Sequence, residues 1–174
     1  WGSNPVYTQV NLMSHISRAR KERGARLIVI DPYRTPTARH ADVHLRPRPG
    51  TDAALACAVM HVLFRDGFAD RDYMAQYTND AAALEAHVAT RDPAWASGIT
   101  GIEVADIEAL AAAYGTIDRA IIRMGYGFSR SRNGAASLHA VSCLPAVRGA
   151  REGCGAGFRL CGNQPVLRLL DAWG

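Results

Sequence analysis

Lysine is almost missing from this chain: of its 20 basic residues, only Lys21 is one. An arginine bias suits fork-like hydrogen bonding to phosphates. A GC-rich genome produces the same bias without any ligand. The basic residues are scattered and no aromatics interleave with them, so no nucleic-acid partner is expected despite the net charge of +4. No apolar run approaches the roughly 20 residues that cross a bilayer, so no membrane span is expected. No signal peptide is visible, but the chain opens on Trp1 rather than Met. Cysteine is sparse and never paired as C-x-x-C. Cys57 and Cys143 fall on apolar helical faces and read as packed thiols. Cys154 and Cys161 flank a glycine-rich turn, with no second ligand pair nearby to make a metal site. The compartment, cytoplasmic or periplasmic in a bacterium, stays undecided.

Catalytic signatures are lacking too. There is no G-x-G-x-x-G, Walker loop, H-E-x-x-H or G-x-S-x-G. The first absence counts against an ordinary nicotinamide-dependent dehydrogenase. The six histidines (His15, His40, His44, His61, His87 and His139) are dispersed, and His61 and His139 sit in helical apolar patterns. No nucleophile, base or metal ligand is assigned.

What the chain does have is an alternation of helical and strand patterns. Pro5 stands at a first helical turn. Val6, Val10, Met13 and Ile16 then mark one face of a helix that Gly24 stops. Arg26 to Asp31 is a continuous β-branched run, as in a parallel strand buried on both faces. Ala41 to Arg46 reads as a second strand. Thr51 is placed to cap a helix carrying Ala54, Leu55, Ala58, Val59, Val62 and Leu63, ended by Gly67. Short helices are expected over 71–77 and 80–88, with breaks at Asp92-Pro93 and Gly98. Thr100-Gly101-Ile102-Glu103 reads as a capping box for a helix that Gly115 stops. Ala120 to Met124 is a further strand. Asn133-Gly134 opens a helix to about Arg148, which Pro145 should kink or shorten. A last short helix is expected over Pro165 to Trp173.

This order predicts an α/β fold, a Rossmann-like parallel sheet with flanking helices. Residues 1–118 read as a Rossmann-like cofactor-binding domain and 119–174 as part of a second α/β region. A βαβ unit needs a strand before its first helix, yet the chain opens on Trp1-Gly2. The expectation is therefore an incomplete part of a larger multidomain fold.

Three short polar segments fall where such a fold holds a ligand. Gly2, Ser3 and Asn4 suit a first strand–helix turn, where small residues let backbone approach a pyrophosphate. Asp31 ends the next strand, where an acid can bind ribose hydroxyls. Asp52 opens a helix, and its two acceptor oxygens match the adjacent donors of a guanine edge. Each has a plainer reading, as a turn or a helix cap. Gly125-Tyr126-Gly127 repeats the strand–glycine–helix geometry, with Arg130 free for a phosphate; a tight turn with solvated arginines is the plainer alternative.

Taken together, W-G-S-N-P at 1–5, L-I-V-I-D-P-Y-R-T at 27–35, R-P-G-T-D at 48–52, R-M-G-Y-G-F-S-R-S-R-N-G at 123–134 and L-P-A-V-R-G-A at 144–150 resemble the molybdopterin-guanine-dinucleotide oxidoreductases of the dimethyl-sulfoxide-reductase family. The resemblance implies two pyranopterin guanine dinucleotides chelating molybdenum or tungsten. It implies that Trp1, Gly2 and Asn4 line a phosphate or ribose. Asp31, Arg34 and Thr35 would lie near ribose and guanine, and Gly50 and Asp52 at the guanine edge. Gly125, Gly127 and Arg130 would face the other pterin. It also implies partners: an N-terminal iron–sulfur and metal-ligand region, a C-terminal β-barrel domain and an electron-transfer subunit. None of the paired cysteines of that iron–sulfur region occurs here, so the chain is expected to be a central fragment whose parent performs two-electron chemistry on formate or an oxyanion. The alternative is a stand-alone, non-catalytic nucleotide-binding module.

Overall fold

The computed structural model describes residues 1–149 and 157–160. The expected helix at Pro165–Trp173, and Cys154 and Cys161, lie outside the described residues. The elements are α1 (Pro5–Thr8), α2 (Val10–Arg23), β1 (Ile28–Ile30), α3 (Pro36–Arg39), β2 (Val43–Leu45), α4 (Asp52–Arg65), α5 (Arg71–Tyr77), α6 (Ala81–Val88), α7 (Pro93–Thr100), α8 (Val104–Thr116), β3 (Ile121–Met124), a 3-10 turn (Tyr126–Arg130), α9 (Gly134–Arg148) and β4 (Gly157–Leu160). β1 pairs parallel with β2, with Ile28 opposite Val43 and Ile30 opposite Leu45. β3 pairs parallel with β4. The fold is thus a helix-dominated α/β arrangement with parallel strands, as the alternating pattern predicts.

The two strand pairs are joined by the chain's first residues. The Gly2 amide donates to the Ile30 carbonyl at 3.0 Å, and the Gly125 amide donates to the Trp1 carbonyl at 2.9 Å. The Trp1 backbone nitrogen donates to the Arg123 carbonyl at 2.8 Å. Trp1-Gly2 therefore occupies the lane between β1 and β3. It brings the C-terminal ends of both strands to one edge.

The core is organised by α4, which buries Leu55, Val59, Met60, Val62 and Leu63 to 1% exposure or less. Its partners are α7, α8 and α9, which supply Ala96, Ile107, Ala111, Val141, Leu144 and Val147, and β3 contributes Met124. Elements on both sides of residue 118 thus share one apolar cluster.

Several local expectations are corrected. The first helix is broken at Gln9 (φ −153°, ψ 65°), whose side-chain oxygen accepts a hydrogen bond from Arg123 of β3. The tertiary bond outweighs the helical periodicity there. The α2 face carrying Val10, Met13 and Ile16 is not buried; Val10 is 63% exposed. Asp92-Pro93 does not break the chain but starts α7: the Asp92 carboxylate accepts from the Trp95 amide at 2.7 Å, and proline at the first turn loses no bond. Gly98 lies within that helix. Thr100 closes α7 rather than capping α8, with its hydroxyl oxygen accepting from the Ile102 amide at 3.2 Å. Gly115 does not stop α8, which runs on to Thr116; it is a packing glycine, since a Cβ there would lie 2.6 Å from the Phe68 ring. Nor does Pro145 end α9 early, because the helix continues to Arg148 and stops at Gly149 (φ 68°). Thr51 precedes α4 without capping it by its side chain.

Candidate nucleotide cradle

Four loops gather at the shared strand edge: 1–4, 31–36, 46–52 and 125–134. They are tied to one another by side chains. The Trp1 indole Nε1 donates to Asp52 Oδ1 at 2.6 Å. The Asn133 Nδ2 donates to the Gly50 carbonyl at 2.5 Å. The Gly127 amide donates to the Gly2 carbonyl at 2.9 Å. Such crossings bring the acids and glycines singled out above to one strand edge. A doubly wound sheet puts its ligand in a crevice at such an edge.

Each expected residue has a definite place. Asp31 follows β1, and its Oδ1 accepts from the Tyr33 amide at 2.9 Å. Burial pushes its carboxyl above the usual range, the Tyr33 bond works against that shift, and neighbouring Asp52 adds a smaller upward push. Asp52 starts α4, whose N-terminus no side chain caps: the Thr51 hydroxyl turns back to donate to the Arg48 carbonyl at 2.6 Å. Backbone donors at that end remain for an anion or a polar group.

Asn4 is drawn into the loop scaffold. Its Oδ1 accepts from the Thr37 hydroxyl at 2.7 Å, and that hydroxyl oxygen accepts from the Val6 amide at 3.2 Å. Thr35 caps α3, its oxygen accepting from the Ala38 amide at 3.2 Å. Arg34 and Arg130 are exposed, and neither makes a hydrogen bond or ion pair among the described residues. Gly50 sits at φ 80°, in the left-handed region. Gly125 and Gly127 serve close approach: a Cβ on Gly127 would lie 2.7 Å from the Gly2 carbonyl oxygen, and one on Gly125 would lie 2.6 Å from Ser3 Cβ. The tight-turn reading of that segment thus has a physical cause, and its two glycines let two backbones cross.

Sequence reasoning missed three contributors. Thr37 is 2% exposed and holds both Asn4 and Val6, yet nothing in its sequence context marks it. Asn133 reads as a helix start, whereas its side chain reaches the Gly50 turn. His44, on β2, places Nε2 2.9 Å from the Asp31 carbonyl oxygen. His61 is a packed histidine, as expected, with Nδ1 3.0 Å from the Val88 carbonyl. Among the described residues no group of three or more His, Cys, Asp or Glu side chains could hold a metal ion. No helix among them is long and apolar enough to cross a membrane.

The fold is a helix-dominated α/β arrangement whose parallel strands end at one edge. Comparison with known proteins narrows this. Residues 1–163 match the family model "Molybdopterin oxidoreductase", and the chain belongs to that family. It is 38% identical over 149 residues to the probable oxidoreductase YoaE of Bacillus subtilis, covering 86% of this chain and 22% of the relative. It is 32% identical to the F420-dependent formate dehydrogenase 1 subunit alpha of Methanococcus maripaludis, covering 85% and 22%. It is 31% identical to the dimethyl sulfoxide reductase DmsA of Escherichia coli, covering 86% and 21%. Among solved structures, acetylene hydratase from Pelobacter acetylenicus superposes with a TM-score of 0.75 at 28% identity, over 82% of this chain and 19% of that one. The chain thus spans about a fifth of the length of these relatives.

Proposed function

We propose that this chain binds the nucleotide end of a pyranopterin guanine dinucleotide within a larger molybdenum or tungsten oxidoreductase. The observation that carries the reading is Asp52: a carboxylate at the start of α4, which no side chain caps, held by the Trp1 indole at the edge where β1 ends. The donor set fits the group. Asp52 supplies acceptors for the guanine edge, and Asp31 for ribose hydroxyls. The free guanidinium groups of Arg34 and Arg130 suit phosphates. Gly2, Gly50, Gly125 and Gly127 let the loops that carry these groups pack closely against one another. In this reading residues 1–118 supply the first half of the cradle, and the described residues from 119 to 149 belong to the half that serves a second pterin.

When bound, the cofactor supplies the redox chemistry, and this chain supplies binding and orientation. The metal ligand and any iron–sulfur cluster belong to other parts of the parent polypeptide. The parent carries out two-electron chemistry on a small substrate of the formate or oxyanion type, as the names of the formate dehydrogenase and dimethyl sulfoxide reductase relatives suggest. A solved neighbour is by name a hydratase, so this architecture serves more than one reaction and does not select the substrate.

The test uses the full-length polypeptide that carries this chain. It should contain molybdenum or tungsten and release GMP on acid hydrolysis. Asp52→Ala should lower retained guanine nucleotide by about ten-fold or more, the value of a hydrogen-bonded charge. Absence of both metals and of GMP refutes the cofactor, and unchanged retention in Asp52→Ala refutes the guanine contact. A protein that retains GMP without metal or turnover points instead to a non-catalytic binding module.

A further inference from the structure

We infer that Trp1 is a positioning residue for Asp52, setting the plane of its carboxylate, rather than a contact to phosphate or ribose. The inference rests on the reading of Asp52 as the guanine acceptor. An indole has one donor and no acceptor. That donor is spent on Asp52 Oδ1 at 2.6 Å, so none remains for a ligand. The ring itself is held, packed on the apolar core and against Phe128 with centroids 6.3 Å apart and planes tilted by 41°.

The backbone beneath Asp52 is already fixed by other bonds. The Thr51 hydroxyl donates to the Arg48 carbonyl, and Asn133 donates to the Gly50 carbonyl. What stays soft is the terminal torsion of the aspartate, which has broad, roughly two-fold preferences. A guanine edge needs both oxygens in one plane with its two donors. The indole bond uses one of about four lone-pair sites on the carboxylate. It pins the plane and leaves the outward lone pairs open. Freezing that torsion before the ligand arrives removes an ordering cost from binding.

A double-mutant cycle in the full-length polypeptide tests this. Retained guanine nucleotide per chain is measured after prolonged dialysis, alongside the thermal midpoint. Trp1→Phe keeps an aromatic ring and deletes the donor; it should reduce retention roughly three- to ten-fold, as for one charge-assisted hydrogen bond. Combined with Asp52→Ala, it should add no more than about a two-fold further loss, because Trp1 acts through Asp52. Trp1→His restores a ring N–H and should retain more nucleotide than Trp1→Phe. Three outcomes overturn the inference: full retention in Trp1→Phe, losses that multiply in the double variant, or equal retention in the Phe and His variants. Full retention in Asp52→Ala overturns the reading of Asp52 itself, and the inference with it. If Trp1→Phe does not fold, the cycle is run with Trp1→His against Asp52→Ala; near-normal retention in Trp1→His is then the supporting result, and a loss that multiplies in the double variant overturns it.

Discussion

Asp31 is costly to keep as a carboxylate where it sits. Burial holds its pKa above the ordinary 3.8, and only the Tyr33 amide and weaker charges offset this. The native state therefore binds the proton more tightly than the unfolded chain. Below the ordinary value both states are protonated and the residue carries no penalty. As pH rises from there through the raised native pKa, stability falls, and above it the whole penalty remains. Asp31→Asn keeps an acceptor for the Tyr33 amide and removes the charge. Its thermal midpoint should gain on the parent protein as pH rises from about 4 to 7, while guanine nucleotide retention falls. Midpoints measured across that range check the sign; a variant that gains nothing on rising pH contradicts the burial argument. A charge kept at a cost to stability is the pattern expected where binding needs it.

At the scale of elements, the glycines separate into two kinds. Gly127 is crowded by backbone: an added Cβ would meet the Gly2 carbonyl oxygen at 2.7 Å and Gly2 Cα at 2.9 Å. Neither neighbour can swing away as a side chain can. Gly127→Ala should cost about 1–3 kcal/mol through forced backbone shifts, and it should weaken nucleotide retention, because the 1–4 turn moves with it. Gly98 lies inside α7 with nothing within 4 Å of an added Cβ. Gly98→Ala should stabilise by roughly 0.5–1 kcal/mol, through helix propensity and a less mobile unfolded chain. Denaturant midpoints of the two variants, measured side by side, should move in opposite directions. The same contrast explains Gly115, which α8 carries in its last turn because the Phe68 ring fills the space a side chain would need.

Across the whole molecule, stability and site are joined through α4. The helix starts at Asp52 at the strand edge and runs through the core, where Leu63, near its other end, is fully buried. Leu63→Ala should cost about 2–5 kcal/mol as a cavity-forming change, read as a lower chemical-denaturation midpoint of the full-length polypeptide. Because the cavity lies at the far end of α4 from Asp52, nucleotide retention under native conditions should change far less than in Asp52→Ala. A retention loss as large as that of Asp52→Ala would mean that core packing sets the geometry of the crevice.

The sequence by itself determined most of the element types and where the polar candidates fall relative to them. β-Branched runs at 26–31 and 120–124 can bury only as strands, and the apolar face of 52–65 only as a helix. The positions of Asp31 after a strand and of Asp52 at a helix start were legible in the sequence, while the choice between ligand contact and plain turn or cap was not. The errors lay where short-range signals compete. Asp92-Pro93 is as good a helix start as a break, and Gln9 fits a helix until Arg123 takes its side chain. Only the tertiary structure decided the connections between the loops: Trp1 to Asp52, Asn133 to Gly50, Thr37 to Asn4, and Trp1-Gly2 lying between two strand pairs. The three side-chain pairs are 33 or more residues apart in the chain. Local periodicity carries no information about which distant hydroxyl, indole or amide a given acceptor will meet. That pairing is settled only when the core around α4 closes and fixes where each loop emerges.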